Sequence, residues 1–228
     1  MKVRLQLKFH SEWEESRKRT LLSLLEFNPH SKVVDLGCGN GKFSIKVKEK
    51  IGCEKIFGGD ISEKALKDAK KRKVIVKKAD LNHTLPLKTE SFDVVVSSQV
   101  IEHLFYPVKF MKDIHRILKP NGYAVISTEN LASWDNISAL FFGYTPFSME
   151  FDAGLWKIGN PFSPHERIIV NKYTHPHVRV FAWNGLITLV SILKFKVERV
   201  SGSGHILGHV GEVLDKTHCR FIVIKVRK

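Results

Sequence analysis

From Val33 an apolar stretch with strand-forming residues runs into three closely spaced glycines, Gly37, Gly39 and Gly41, and Lys42 then opens a helical pattern. A strand that turns through glycines straight into a helix is a unit of open α/β sheets, which bind ligands at the carboxyl ends of their strands. The remaining sequence repeats the same alternation. Short runs rich in β-branched residues at 33–36, 55–57, 74–76, 92–96 and 123–126 are separated by helix-length segments, and several are apolar on both faces. Strands without in/out alternation belong to a parallel sheet covered on both sides, so the fold class is α/β.

The helices between these runs can be placed from their apolar periods. Phe110, Met111, Ile114, Ile117 and Leu118 share one helical face, which Pro120 and the turn at Asn121 and Gly122 bring to an end. Ser62 can cap a helix in which Ala65, Leu66 and Ala69 face inward while Lys64, Lys67 and Lys71 form an outer stripe. An amino-terminal helix is expected over 11–27, with Ser11 as its cap, and another through Trp183, Leu186, Leu189, Val190 and Leu193. Strands follow near 197–201 and 220–226. Between 130 and 177 the periodicity breaks down and aromatic residues crowd together, including Trp134, Phe141, Phe142, Tyr144, Phe147, Phe151, Trp156 and Phe162, as in an insertion.

The net charge of +14 would attract polyanions. Thirteen basic and five acidic residues lie between Lys42 and Lys78, but no aromatic platforms interleave with these lysines as a single-strand nucleic-acid groove requires. The lysines are therefore expected to be solvated helix faces, with nucleic acid possible but not favoured. Cys38, Cys53 and Cys219 are an odd number without framework spacing, and the first residues lack the continuous apolar run of a signal peptide or membrane span. A single domain over 1–228, reduced and cytoplasmic, is the expectation; oligomeric state is not readable.

The glycine loop excludes two cofactor classes. The third glycine falls at Gly41 and not at 42, which breaks the dinucleotide fingerprint, and Lys42 precedes Phe43 with no P-loop spacing before it. Asp60 comes 19 residues after Gly41, close to the ~20 expected of an acid that binds ribose hydroxyls; its alternative is a helix cap. Asp80 can accept the amino hydrogens of an adenine ring or simply form a turn.

Residues 31–129 resemble the Rossmann-like S-adenosylmethionine-dependent methyltransferases, specifically the type-11 group, through motifs that agree in order and spacing. The motifs are the loop from Asp35 to Gly41, the strand end at Gly59, Asp60, Ile61 and Ser62, the segment of Ala79, Asp80 and Leu81, the strand from Ser91 to Ser97, and the turn from Leu118 to Gly122. The resemblance implies a seven-stranded, mostly parallel sheet with helices on both faces and its last two strands as an antiparallel edge. It also implies S-adenosylmethionine as cofactor, contacted by Asp35, Leu36, Gly37, Cys38, Gly39, Asp60, Ile61, Asp80, Leu81 and Ser97. Ser97 lies where such enzymes place the methyl donor, though a serine there can also be a turn former.

A bound sulfonium is already an activated methyl donor, so the protein must mainly align an acceptor and in some cases remove its proton. His103 has the pKa range for that base role, its alternative being a local hydrogen bond that fixes the loop. Some quinone-type O-methyltransferases carry Glu-x-x-Glu-His as a metal site at the comparable stretch; here the first acid is Gln99, and the remaining histidines lack tight ligand spacing, so no metal is expected. The insertion can line an acceptor pocket or act as a plain hydrophobic cap. With Lys157 as its one basic residue between Asn130 and Phe162, against Asp135, Glu150 and Asp152, it suits a small, lipid-linked or saccharide acceptor, methylated at oxygen or nitrogen, better than phosphate backbone. RNA methylation and a non-catalytic cofactor- or partner-binding module are the alternatives.

Overall fold

The computed structural model describes residues 2–149, 159–162, 177–205 and 207–228, with side chains from Ser11 onward. Seven strands, β1 (Val33–Leu36), β2 (Ile56–Asp60), β3 (Ile75–Lys78), β4 (Phe92–Ser98), β5 (Leu118–Glu129), β6 (Lys196–Ser203) and β7 (Phe221–Arg227), form one sheet in the order β3-β2-β1-β4-β5-β7-β6. The first five run parallel, and β7 inserts between β5 and β6, antiparallel to both. The doubly apolar strands have the environment that their composition requires. Val34, Leu36 and Val95 are buried in one core with Phe110, Met111 and Ile114, while Val33, Val94 and Val96 are buried in a second with Leu21, Val47 and Ile51.

Described helices are α1 (Lys2–Ser23), α2 (Lys42–Ile51), α3 (Glu63–Lys71), α4 (Pro107–Ile117), α5 (Trp134–Phe141), α6 (Trp183–Ile192) and α7 (Gly208–Leu214). Ser62 caps α3 as expected, accepting a hydrogen bond from the Ala65 amide at 3.3 Å. The lysine stripes of α2 and α3 point to solvent: Lys42, Lys46, Lys50, Lys64, Lys67 and Lys71 are all exposed.

The structure departs from the sequence expectation at four places. Helix α1 starts at Lys2 and ends at Ser23, earlier at both ends than the expected 11–27. No helix connects β3 to β4 among the described residues; the stretch 79–91 contains Pro86 and is bound instead by α4, where Arg116 donates to the carbonyls of Leu85 and Leu87 and Asp113 accepts from the Leu85 amide. The turn at Asn121 and Gly122 sits within β5 as an irregularity, with Asn121 at φ 63°, and shifts the register to β4 between Phe92 and Val94. Helix α5 lies inside the supposed irregular insertion. Much of the insertion, including Glu150, Phe151, Asp152, Trp156 and Lys157, falls outside the described residues.

Candidate active site

Strand order reverses between β1 and β4, which opens a crevice at their carboxyl ends. The glycine loop leaves β1 on one side of it. Gly37, Gly39 and Gly41 adopt φ of 82°, 51° and 76°, a left-handed region that glycine enters without steric penalty. A side chain at Gly37 would meet Val100 Cγ2 at 2.2 Å, so the loop lies against the residues that follow β4. At Gly39 nothing stands within 4 Å of a built Cβ: the backbone there faces open space.

Asp60, at the end of β2, secures this loop. Its Oδ2 accepts the Gly39 amide at 2.9 Å and its Oδ1 accepts the Ser62 amide at 2.9 Å, which leaves each carboxylate oxygen a further lone pair. Both readings made from the sequence, a local cap and a ligand acid, are thus compatible in one residue. Ile61 beside it is 46% exposed, an apolar surface at the mouth where a flat ring can rest. Asp80 stands one strand further, accepting the Asn82 amide at 2.9 Å. The Ala79 amide, just before it, bonds to the Asp60 carbonyl.

Several predicted contacts have side chains turned inward. Leu36 and Leu81 are core residues, and Cys38 is buried against Gly58, whose Cβ would come within 2.7 Å of Cys38 Sγ. Ser97 is also buried, its hydroxyl donating to the Leu36 carbonyl at 3.1 Å and tying β4 to β1. These positions can offer a ligand their backbone groups.

Asp35 is buried, and desolvation raises its carboxyl to about 6, opposed by the Ser44 hydroxyl bonded to Oδ2 at 2.6 Å and reinforced by the nearby charge of Asp60. A folded pKa above the unfolded 3.8 means that its stability contribution is complete below pH ~4 and is lost as pH rises through about 6. Asp35→Asn is accordingly expected to stabilise the ligand-free protein by about 1–3 kcal/mol at pH 7.5 and not at pH 4, as thermal unfolding at the two pH values would show. A cationic ligand favours the ionised form, so its affinity should rise as pH increases through about 6, and calorimetric titrations across that range should lose the dependence in Asp35→Asn.

On the other side of the crevice, a short 3-10 turn, Ile101–His103, follows β4. Glu102 is fully buried and accepts the Thr128 hydroxyl at 3.0 Å through Oε2, while Oε1 has no hydrogen-bond partner among the described residues. Desolvation raises its carboxyl to about 7. Its carbonyl accepts the amides of Val178 and Arg179, and this bonding brings His177 against the turn, with the His103 and His177 rings 4.8 Å apart. Glu102, His103 and His177 each present one donor atom within 4.8 Å of the others. Sequence alone singles out His103 as the candidate base; Glu102 is its chain neighbour, while His177, 74 residues further on, has no short-range signal that places it beside them. Glu102 and His103 stand at the second acid and the histidine of the Glu-x-x-Glu-His pattern whose first acid is Gln99 here, and His177 brings a third donor from outside that stretch.

Helix α1 closes the far end. Its buried Arg17 bonds to Ser98 and Ser127 at the ends of β4 and β5, a contact without any short-range sequence signal.

Residues 34–126 match the family model described as "Methyltransferase domain". A malonyl-[acyl-carrier protein] O-methyltransferase of Marinomonas is 30% identical over 59% of this chain and 51% of its own length, and a demethylmenaquinone methyltransferase of Listeria welshimeri is 30% identical over 61% and 62%. The chain thus spans about half to three-fifths of the length of these curated relatives. Among solved structures, an S-adenosylmethionine-dependent methyltransferase of Thermotoga maritima superposes with a TM-score of 0.66 at 24% identity, covering 96% of this chain and 91% of that one. The glycine cradle and the Asp60 clamp thus lie within the stretch 34–126 that matches a methyltransferase domain, on the same fold as the Thermotoga maritima protein.

Proposed function

We propose that the protein transfers the methyl group of S-adenosylmethionine to an oxygen or nitrogen of a small-molecule, lipid-linked or saccharide acceptor. What supports this reading is that the glycine loop with Asp60 follows the carboxyl ends of β1 and β2 while the polar turn with Glu102 and His103, joined by His177, follows the carboxyl end of the neighbouring β4.

On the cofactor side, Asp60 holds the ribose hydroxyls, Ile61 and the backbone of Leu81 border the adenine, and Asp80 accepts its amino hydrogens. The backbone of Leu36, Gly37, Cys38, Gly39 and Ser97 faces the amino-acid portion, and Asp35 provides its negative countercharge. When bound, the cofactor supplies a methyl group on a positively charged sulfur; transfer to an acceptor oxygen forms a C–O bond, leaves the C–S electron pair on sulfur and releases the acceptor's proton. His103 stands on the acceptor side, so His103→Ala should leave cofactor affinity unchanged while lowering the transfer rate. Calorimetry with S-adenosylmethionine and single-turnover transfer kinetics separate the two.

The relatives named for malonyl-[acyl-carrier protein] and demethylmenaquinone support a small reacting group as the acceptor. The cap role of 130–177, with the single domain over 1–228 that contains it, remains part of this proposal. Incubation with methyl-labelled S-adenosylmethionine and cell extract tests the acceptor class. Label in organic-extractable or small soluble fractions supports the reading. Nuclease-sensitive label would assign the acceptor to RNA and give the lysine faces a binding role, and bound cofactor without labelled product would favour the non-catalytic alternative.

A further inference from the structure

We propose that Glu102, His103 and His177 bind a divalent transition-metal ion on the acceptor side of the crevice. Two imidazoles and one carboxylate are a donor set suited to zinc, iron, manganese or cobalt, whereas magnesium and calcium prefer oxygen donors throughout. The three donor atoms lie within 4.8 Å of one another. Tetrahedral coordination at ~2.1 Å per bond places donors roughly 3.4 Å apart, so the donor atoms need close by at most about 1.4 Å.

Two further features point to a built site. Glu102 Oε1 is buried without a hydrogen-bond partner among the described residues, while Oε2 is fixed by the Thr128 hydroxyl. A buried carboxylate oxygen with no donor is costly unless a cation or a water completes it. His177 Nδ1 lies 2.8 Å from the Ser148 carbonyl, which can only accept; Nδ1 therefore carries the hydrogen and Nε2 keeps the lone pair that a metal takes. Ser148 is itself held by Asn136 of α5, whose Nδ2 donates to its hydroxyl at 2.6 Å and whose Oδ1 accepts its amide at 3.1 Å. An imidazole oriented through its second nitrogen by a fixed carbonyl is the supporting arrangement that metal-ligating histidines use.

Three protein ligands leave a coordination position open, as in catalytic and not structural sites. The cluster begins two residues after Val100, whose side chain touches the Gly37 region of the cofactor cradle. The ion would orient an acceptor hydroxyl and lower its pKa, which gives His103 the part of a ligand in place of the general base expected from sequence. That catalytic use rests on the transfer reading above; the binding of the ion does not.

The test uses the intact chain, stripped of metal with a chelator and titrated with Co²⁺, whose visible absorption reports imidazole and carboxylate coordination. One equivalent should bind with a ligand-field band, and Glu102→Gln and His177→Ala should each weaken binding by ~10-fold or more. His209→Ala, on the exposed face of α7, should bind Co²⁺ as the wild type does. Cofactor affinity measured in the same variants reports whether the fold survives; where either is misfolded, His103→Asn provides the same comparison. Absence of the band, or equal Co²⁺ affinity in the wild type and the folded ligand variants, overturns the site. Because the readout is metal coordination, it can succeed where methyl transfer fails, and the two proposals fall separately.

Discussion

Replacement of Asp60 by alanine is expected to weaken S-adenosylmethionine binding by ~1.5–3 kcal/mol, or about 10- to 150-fold, the range for hydrogen bonds to a charged group. The carboxylate is placed to act twice. It fixes the glycine loop through the Gly39 amide and caps the turn at Ser62, and its remaining lone pairs are available to ribose hydroxyls. A cycle with S-adenosylhomocysteine and its 2′-deoxy analogue separates these contributions. If Asp60 contacts the ribose, removal of the 2′-hydroxyl should cost affinity in the wild type and little in Asp60→Ala. Equal losses in both proteins would confine Asp60 to the loop, and unchanged affinity in Asp60→Ala would refute the ribose assignment.

The second large effect is expected at Gly37. Alanine there must occupy φ near 82° and place its Cβ 2.2 Å from Val100 Cγ2, so left-handed strain adds to overpacking. Together these amount to about 2–4 kcal/mol of lost stability. Val100→Ala removes the atom in conflict, and the double variant should therefore be more stable than the sum of the single losses predicts, by about 1 kcal/mol or more. Gly39→Ala provides the contrast. It meets no atom within 4 Å, so unfolding should change only by the smaller backbone strain while cofactor affinity falls, because the new methyl group projects into the cradle. Chemical denaturation and calorimetry on the four variants distinguish steric conflict within the fold from conflict with the cofactor.

The parts of this molecule that were legible in the sequence are those in which one residue's environment follows from its near neighbours. The doubly apolar β1 and β4 required burial on both faces, and the spacing from Gly41 to Asp60 required an acid at the end of the next strand. Helix α3 likewise followed from Ser62 and its apolar period. Where long-range contacts decide, the sequence carried little. Nothing near Leu81 or Ser97 indicated that both side chains turn into the protein, since a buried serine is accommodated only because the Leu36 carbonyl of a neighbouring strand accepts its hydrogen. His177 reaches Glu102 through backbone bonds from Val178 and Arg179, a connection across the whole insertion. The missing helix between β3 and β4 belongs to the same class: its place is taken by side-chain bonds from Arg116 and Asp113, which a local period cannot reveal.

The proposed reaction requires the glycine cradle to present the cofactor's methyl group to the turn carrying Glu102 and His103. A crystal structure with S-adenosylhomocysteine bound tests it most directly. The expected result is ribose hydroxyls on the Asp60 carboxylate, adenine against Ile61, and the sulfur facing the side of the crevice formed by Glu102, His103 and His177. A nucleoside bound away from Asp60, or a sulfur directed away from that turn, would contradict it.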